Sequence, residues 1–135
     1  MSSVFEGSCL CGALSFTVTG FSKKAANCHC SMCRKFHGAA FGTLVEVQGL
    51  QWRSGKEALK EFVSQNGTIR TFCSHCGSSV GFRGDGEPIE RIELAISLFD
   101  TSIPVVIDAQ IYTDYKANWC SLLIDVPVYP EGRDT

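Results

Sequence analysis

The sequence is short of long hydrophobic runs, of net charge and of basic residues near its first methionine. No apolar run in the 135 residues approaches the roughly 20 residues that a membrane-spanning helix needs. The formal net charge of −2 argues against broad attraction to nucleic acid or to an anionic membrane. Residues 1–7 show neither the basic nor the apolar region of a secretory signal. We therefore expect a cytoplasmic protein with no nucleic-acid partner and no membrane partner.

The chain also lacks internal repeats, low-complexity segments and linker-like stretches. Its 135 residues suffice for one hydrophobic core and leave no room for a second. The composition, with 44% apolar and 19% charged residues, excludes disorder as the general state. We expect one domain over residues 4–120, followed by a tail over residues 121–135 that packs on the domain or trails from it.

Cysteine, by contrast, is abundant, with 8 residues in the chain. Cys120 stands alone, and the others form three short groups: Cys9-Leu10-Cys11, Cys28-His29-Cys30-Ser31-Met32-Cys33 and Cys73-Ser74-His75-Cys76. A disulfide framework is disfavoured because no secretory signal is visible and cysteines two residues apart would close a strained ring. Dithiol redox chemistry at the third group lacks a thioredoxin-like strand and helix around it. The spacing instead favours metal binding.

The first and third groups share a design that indicates one common site. Gly12 and Gly77 each follow the second cysteine of a pair, where glycine allows positive φ and brings backbone N–H groups toward the sulfurs. Zinc prefers four ligands in tetrahedral geometry, and binding at such a site adds free energy to folding. We predict one closed structural site formed by Cys9, Cys11, Cys73 and Cys76.

The middle group supplies three sulfurs within six residues. Three protein ligands with a fourth position open to an external ligand characterise catalytic zinc. His29 lies inside the group, but an extended backbone directs its side chain away from both neighbours. His37 or Cys120 could instead supply the fourth ligand and close the site. The remaining alternative is that no second metal binds.

Short alternations of apolar and polar residues predict a mainly β fold. The predicted strands are residues 14–19, 40–47, 51–53, 59–64, 69–73, 79–82, 90–97 and 109–112. Asn66-Gly67 predicts a hairpin turn, Ser31 is predicted to cap a short helix over 32–37, and one turn is expected within 115–120. The predicted core contains Phe16, Phe41, Leu44, Phe62, Phe72, Phe82, Leu94, Ile96 and Ile111.

Three motifs together resemble the glutathione-dependent formaldehyde-activating (GFA) family, which includes centromere protein V. They are Gly7-Ser8-Cys9-Leu10-Cys11-Gly12, Cys28-His29-Cys30-Ser31-Met32-Cys33-Arg34-Lys35 and Arg70-Thr71-Phe72-Cys73-Ser74-His75-Cys76-Gly77-Ser78. The segment Lys116-Ala117-Asn118-Trp119 is similar to a Lys-Ala-x-Trp ending in the family. The resemblance implies a β-rich, tent-like fold of small sheets stapled by zinc, with one or two short helices.

The resemblance also implies two zinc ions per chain and an activity. One zinc would be structural, and the other would lie at a catalytic site formed by Cys28, Cys30 and Cys33. The family activity joins glutathione to formaldehyde as S-hydroxymethylglutathione, a carbon–sulfur lyase reaction. Two departures affect the expected pocket wall: Ser97-Leu98-Phe99-Asp100 replaces a Gly-Thr-Leu-Asp-like stretch, and Gln110 stands where many members have histidine.

Three thiolates on zinc favour thiol chemistry over hydrolysis. Such a centre carries a net charge of −1 and is a poor Lewis acid for water, whereas zinc binding deprotonates a thiol outright. The thiolate would attack a small aldehyde held beside it. Arg34 and Lys35 are the predicted ligands of a substrate carboxylate. Weaker candidates, expected at the surface, are Arg53, Lys56, Arg70 and Lys116.

Two functions other than an enzyme fit the same residues. The protein could be a non-catalytic module that binds glutathione or a thiol adduct through the second zinc. It could also be an interaction scaffold in which both zinc ions are structural. Exposed strand edges would further allow a homodimer.

Overall fold

The computed structural model describes residues 4–22, 24–122, 125–131 and 133. Within this part of the chain the strands β1 to β12 span Phe5–Ser8, Ser15–Val18, Gly20–Phe21, Lys24–Cys28, Gly42–Val45, Val47–Gln48, Gln51–Ser54, Leu59–Val63, Ile69–Cys73, Ser79–Arg83, Glu93–Ala95 and Val106–Ile111. The helix α1 spans Ser31–His37. Short 3₁₀ helices cover Lys56–Ala58, Ile89–Arg91, Ile96–Leu98 and Thr113–Tyr115. The fold is therefore mainly β with one α-helix in the described residues, as the sequence predicts.

The strands form one large sheet and two small ones. The seven-stranded sheet has the order β12-β4-β5-β11-β10-β9-β8, the three-stranded sheet β1-β2-β7, and β3 pairs with β6. Only the pairing of β12 with β4 is parallel among the described strands of the large sheet. In the described residues, no helix has the length and apolar character needed to cross a membrane.

The hairpin at Asn66-Gly67 forms as predicted and links β8 to β9. The Ser64 N–H donates to the Thr68 carbonyl at 2.9 Å, and Gly67 adopts a φ of 85° that glycine tolerates without strain. The antiparallel register then pairs Leu59 with Cys73 at the far end of the hairpin. The turn therefore sets the register of β9, the strand that ends at Cys73 of the third cysteine group.

The hydrophobic core lies between the three-stranded sheet and the large sheet. Phe16 and Leu94 are buried, as predicted, and the Phe16 ring packs edge-on against Trp52. The prediction is wrong for Phe62 and Ile111, which are 60% and 41% exposed. Both lie on the outermost strands of the large sheet, where a second layer does not cover them. Buried hydrophobic residues not in the predicted core include Leu14, Val18, Val45, Val80, Ile92 and Leu98.

The predicted strand over residues 90–97 is too long. Only Glu93–Ala95 is extended, because 3₁₀ helices begin at Ile89 and Ile96 on either side of it. Conversely, the pattern does not predict β4, whose residues Lys24–Cys28 include neither a β-branched nor an aromatic side chain. Pairing with β5 and β12 on its two sides holds β4 in the sheet in spite of this weak propensity.

The short helix starts one residue earlier than predicted. Cys30, rather than Ser31, is the N-cap, and its Sγ accepts a hydrogen bond from the Cys33 N–H. Gly38, in the left-handed region at φ 62°, ends the helix. A single turn does close within the expected segment, where the Cys120 N–H donates to the Ala117 carbonyl. The limits of the predicted domain, residues 4–120, stay a prediction.

Candidate metal centres

The first and third cysteine groups meet as a four-cysteine cluster formed by Cys9, Cys11, Cys73 and Cys76. Their four Sγ atoms all lie within 4.8 Å of one another. The distance from the Cys11 Sγ is 3.5 Å to the Cys9 Sγ and 4.0 Å to the Cys73 Sγ. A tetrahedral zinc with bonds of about 2.3 Å needs sulfurs about 3.8 Å apart. The residues therefore fit a four-coordinate metal site.

Two glycine turns position these sulfurs. Cys9 follows β1, and the Gly12 N–H closes the turn on the Cys9 carbonyl at 3.0 Å. Cys73 ends β9, and the Gly77 N–H closes a turn that is one residue longer on the Cys73 carbonyl at 2.8 Å. Both glycines have positive φ, at 80° and 78°. The positive φ predicted for these two glycines is confirmed.

Backbone and hydroxyl donors face the sulfurs of the four-cysteine cluster. The Leu14 N–H donates to the Cys9 Sγ at 3.3 Å. The hydroxyl and the backbone N–H of Ser78 lower the pKa of Cys76 to about 5. These donors stabilise thiolates, which are the form that binds a metal ion.

The middle group forms a three-cysteine cluster of Cys28, Cys30 and Cys33. Their Sγ atoms also lie within 4.8 Å of one another, and within the described ranges no histidine, cysteine or carboxylate joins them at this distance. Neither His37 nor Cys120, the two alternatives for a fourth ligand, is part of the group. Cys33 is buried, whereas the other two are partly exposed. The donor set fits a metal ion held by three thiolates.

The end of β4 and the first turn of α1 create the three-cysteine cluster. Burial raises the pKa of Cys33 and of Cys28. Although burial also acts on Cys30, its pKa is lowered because the Cys33 N–H donates to its Sγ at 3.3 Å. One of the three sulfurs is therefore biased toward the thiolate by the helix itself.

His29 lies between Cys28 and Cys30 in the sequence and holds this segment in place. The side chain is fully buried, and its Nε2 lies 2.6 Å from the Gln110 Oε1. Its backbone N–H donates to the Ile111 carbonyl at 3.0 Å, and its ring packs on Phe41. His29 thus ties β12 to the cysteine loop, and Gln110, one of the departures from the family pattern, is its partner.

A cavity of about 650 Å³ opens beside the three-cysteine cluster. This size is within the range of small-molecule sites, roughly 300–1,000 Å³. Its wall next to the sulfurs is apolar and includes Met32, Leu44 and Ile111. The cavity continues across the large sheet to the polar residues Asn66, Thr68, Arg70, Glu46, Glu93 and Asp108.

The basic residues predicted to hold a substrate carboxylate lie elsewhere. The Arg34 Nη2 donates to the Tyr115 carbonyl at 3.4 Å, and Lys35 is exposed. Neither lines the cavity, and their role in substrate binding stays a prediction. Arg70, by contrast, is only 6% exposed and lines the cavity, which corrects the expectation that it is a surface residue. The local sequence carries no signal for this burial, because charged side chains in short strands are ordinarily exposed.

The fold and the two clusters define a mainly β protein with two cysteine groups that could each bind a metal ion. Residues 4–115 match the family model described as "Glutathione-dependent formaldehyde-activating enzyme". The chain belongs to this family, as the three motifs imply.

A curated protein and a solved structure are both similar to this chain. An uncharacterized lyase of Schizosaccharomyces pombe is 30% identical over 78 residues, which are 58% of this chain. The chain spans 56% of the length of that curated relative. A crystal structure of a Rhodobacter sphaeroides protein has a TM-score of 0.57 at 24% identity and covers 73% of this chain and 91% of its own. The second similarity is one of fold.

Proposed function

We propose that the chain is a zinc-dependent carbon–sulfur lyase, acting as a synthase, that joins a glutathione-like thiol to a small aldehyde such as formaldehyde. The observation that carries the proposal is the three-cysteine cluster, which opens into a cavity and receives no fourth side-chain ligand from the described residues. The family description and the lyase name of the yeast relative support this reaction class. Two zinc ions per chain are part of the proposal, one in each cluster.

Zinc held by three thiolates would supply a site at which a thiol loses its proton at neutral pH. The residues of the chain hold the cluster in place and exclude water from the space beside it. Cys28 and Cys30 are partly exposed toward the cavity, whereas the more deeply buried Cys33 and the helix hold the cluster in place. The apolar wall of Met32, Leu44 and Ile111 displaces water from the space beside the sulfurs.

The reaction is an addition that needs neither an oxidant nor a reductant. A carbon–sulfur bond forms between the thiol sulfur and the carbonyl carbon, and the carbonyl π bond becomes a C–O single bond. The proton released by the thiol ends on that oxygen. The protein's contribution is to hold both reactants together, which lowers the entropic cost of their encounter.

The experiment must separate catalysis from binding, because thiols add to formaldehyde unaided. The rate of S-hydroxymethylglutathione formation is measured by NMR exchange spectroscopy at equal glutathione, with and without zinc-loaded protein. We expect a rate about 10-fold or more above the unaided reaction. Binding without acceleration would instead show a non-catalytic module.

A matched pair of variants locates the activity. Cys30→Ser should remove the metal of the three-cysteine cluster and the acceleration, while the fold persists. Cys120→Ser makes the same chemical change at a cysteine outside both clusters and should leave the rate unchanged. Equal rates for the two variants would contradict the assignment, and loss of the fold in Cys30→Ser would indicate a structural scaffold.

A further inference from the structure

The cavity contains a buried arginine that no carboxylate of the described residues neutralises. Arg70 is 6% exposed, and its Nη1 donates to the hydroxyls of Ser64 and Thr68 at 3.4 and 3.3 Å. Its guanidinium lies over the rings of Phe36 and Phe82, at 5.9 and 5.0 Å from their centroids. The ion pairs found in the described ranges involve other arginines. Burying a charge without a counter-charge is costly, which points to an anionic ligand.

Arg70 begins a row of side chains that crosses one face of the large sheet. It pairs in register with Phe82 on β10, which pairs with Glu93 on β11. Since Leu94 pairs with Val45, the antiparallel register sets Glu46 beside Glu93. Side chains paired in register project from the same face, and all four members of this row line the cavity.

The row therefore has a positive end and a negative end. Arg70 and Glu93 are two strands apart, about 10 Å at the usual strand spacing. The pKa of Glu93 is raised by burial and by the nearby charge of Glu46. A bound cation would relieve the repulsion between these two carboxylates, as a bound anion would neutralise Arg70.

We propose that Arg70, Glu93 and Glu46 set the specificity of the cavity for the amino-acid head group of its thiol ligand: the carboxylate of the head group binds Arg70, and its ammonium group binds Glu93 and Glu46. The planar guanidinium fork matches a carboxylate in a bidentate arrangement. This inference rests on the proposed function in one respect, namely that the ligand is a thiol.

The distances along the sheet suit a short peptide. Gly42 pairs with Cys28, and Glu46 lies four residues farther along the chain, about 13 Å away in an extended strand. In a γ-glutamylcysteine peptide the thiol sulfur lies seven bonds from the glutamate α-carbon, about 9 Å when extended, and the side chains of Glu93 and Glu46 cover the remainder. A zwitterionic thiol peptide can therefore reach from the cysteines to the charged row, whereas a simple alkyl thiol cannot.

The test uses S-methylglutathione, which keeps both carboxylates and the ammonium group but cannot supply a thiolate. Its affinity for the zinc-loaded protein is measured by isothermal titration calorimetry. We expect Arg70→Gln to weaken binding about 10- to 100-fold and Glu93→Gln to weaken it as well. Arg91→Gln, at an exposed arginine outside the cavity, is the matched control and should bind as the parent protein does. Unchanged affinity in a folded Arg70→Gln variant, or no binding to the parent protein, would overturn the proposal.

Fallback variants cover the case in which Arg70→Gln does not fold. If Arg70→Gln fails to fold, Arg70→Lys and Glu93→Gln replace it, and unchanged binding in both overturns the proposal.

Kinetics with two thiols then separate this inference from the proposed function. Arg70→Gln should lower kcat/KM for glutathione but not for 2-mercaptoethanol. The protein could fail to accelerate the reaction of either thiol while S-methylglutathione binding still depends on Arg70. In that case the proposed function is wrong, and the role of Arg70 in ligand binding is supported.

Discussion

Replacing one sulfur in each cluster should reveal which cluster staples the fold. Cys11 is exposed, and its Sγ lies 4.0 Å from that of Cys73, 62 residues away in sequence. The three cysteines of the other cluster lie within a six-residue stretch, Cys28 to Cys33. A metal ion in the four-cysteine cluster would thus close a long loop, and one in the three-cysteine cluster a short loop. Cys11→Ser and Cys30→Ser make the same atomic change in these two settings.

Loop closure gives the expected difference. The entropic cost of closing a loop grows as (3/2)RT ln n, so loops of these two lengths differ by about 2 kcal/mol. Because Cys11 is exposed, its replacement by serine adds no loss of core packing. We expect Cys11→Ser to lower the free energy of unfolding by about 2 kcal/mol more than Cys30→Ser does. For a chain of this length the difference corresponds to roughly 8 °C in Tm.

Urea unfolding of the zinc-loaded variants, followed by circular dichroism, measures this difference. Treatment with a chelator is the control, because removing the metal should bring the two variants to nearly the same stability. Equal losses in the zinc-loaded proteins would refute the reasoning, as would a larger loss for Cys30→Ser.

Three further predictions test the fold around the sites. Gly67→Ala should lower the free energy of unfolding, measured in urea, by about 1–2 kcal/mol because the φ of Gly67 is 85°. Gly84→Ala, at a glycine without positive φ, should lower it less. Burial and a neighbouring arginine lower the pKa of His37, so the folded state disfavours its protonated form. Stability should therefore fall as pH drops below about 6.5, and His37→Asn should reduce that slope in urea titrations from pH 7.5 to 5.5. His29→Ala should cost about 2–4 kcal/mol in thermal unfolding, more than Gln110→Ala, because only the former empties a fully buried position; equal losses would contradict this.

Each short cysteine group could be predicted because its cysteines are close in sequence, and turn geometry brings their sulfurs together. The pairing of the first and third groups could be predicted because a glycine with positive φ, Gly12 or Gly77, follows each of them. The hairpin at Asn66-Gly67 could be predicted for the same reason, because residues close in sequence determine the turn.

The charged row of the cavity could not be predicted, because it depends on the strand order. Arg70 and Glu93 are far apart in sequence and become members of one row only through β10, which lies between their strands. Single charges in short strands are ordinarily solvent-exposed. The exposure of Phe62 has the same origin, since only the sheet order shows that β8 is an edge strand.

The central claim is that the three-cysteine cluster binds zinc and accepts the sulfur of a substrate thiol. A crystal structure of the zinc-loaded protein soaked with glutathione tests it most directly. We predict an ion held by Cys28, Cys30 and Cys33, with the glutathione sulfur about 2.3 Å from it as the fourth ligand. An ion whose fourth ligand is a side chain of the same chain, with glutathione absent from the cavity, would contradict it.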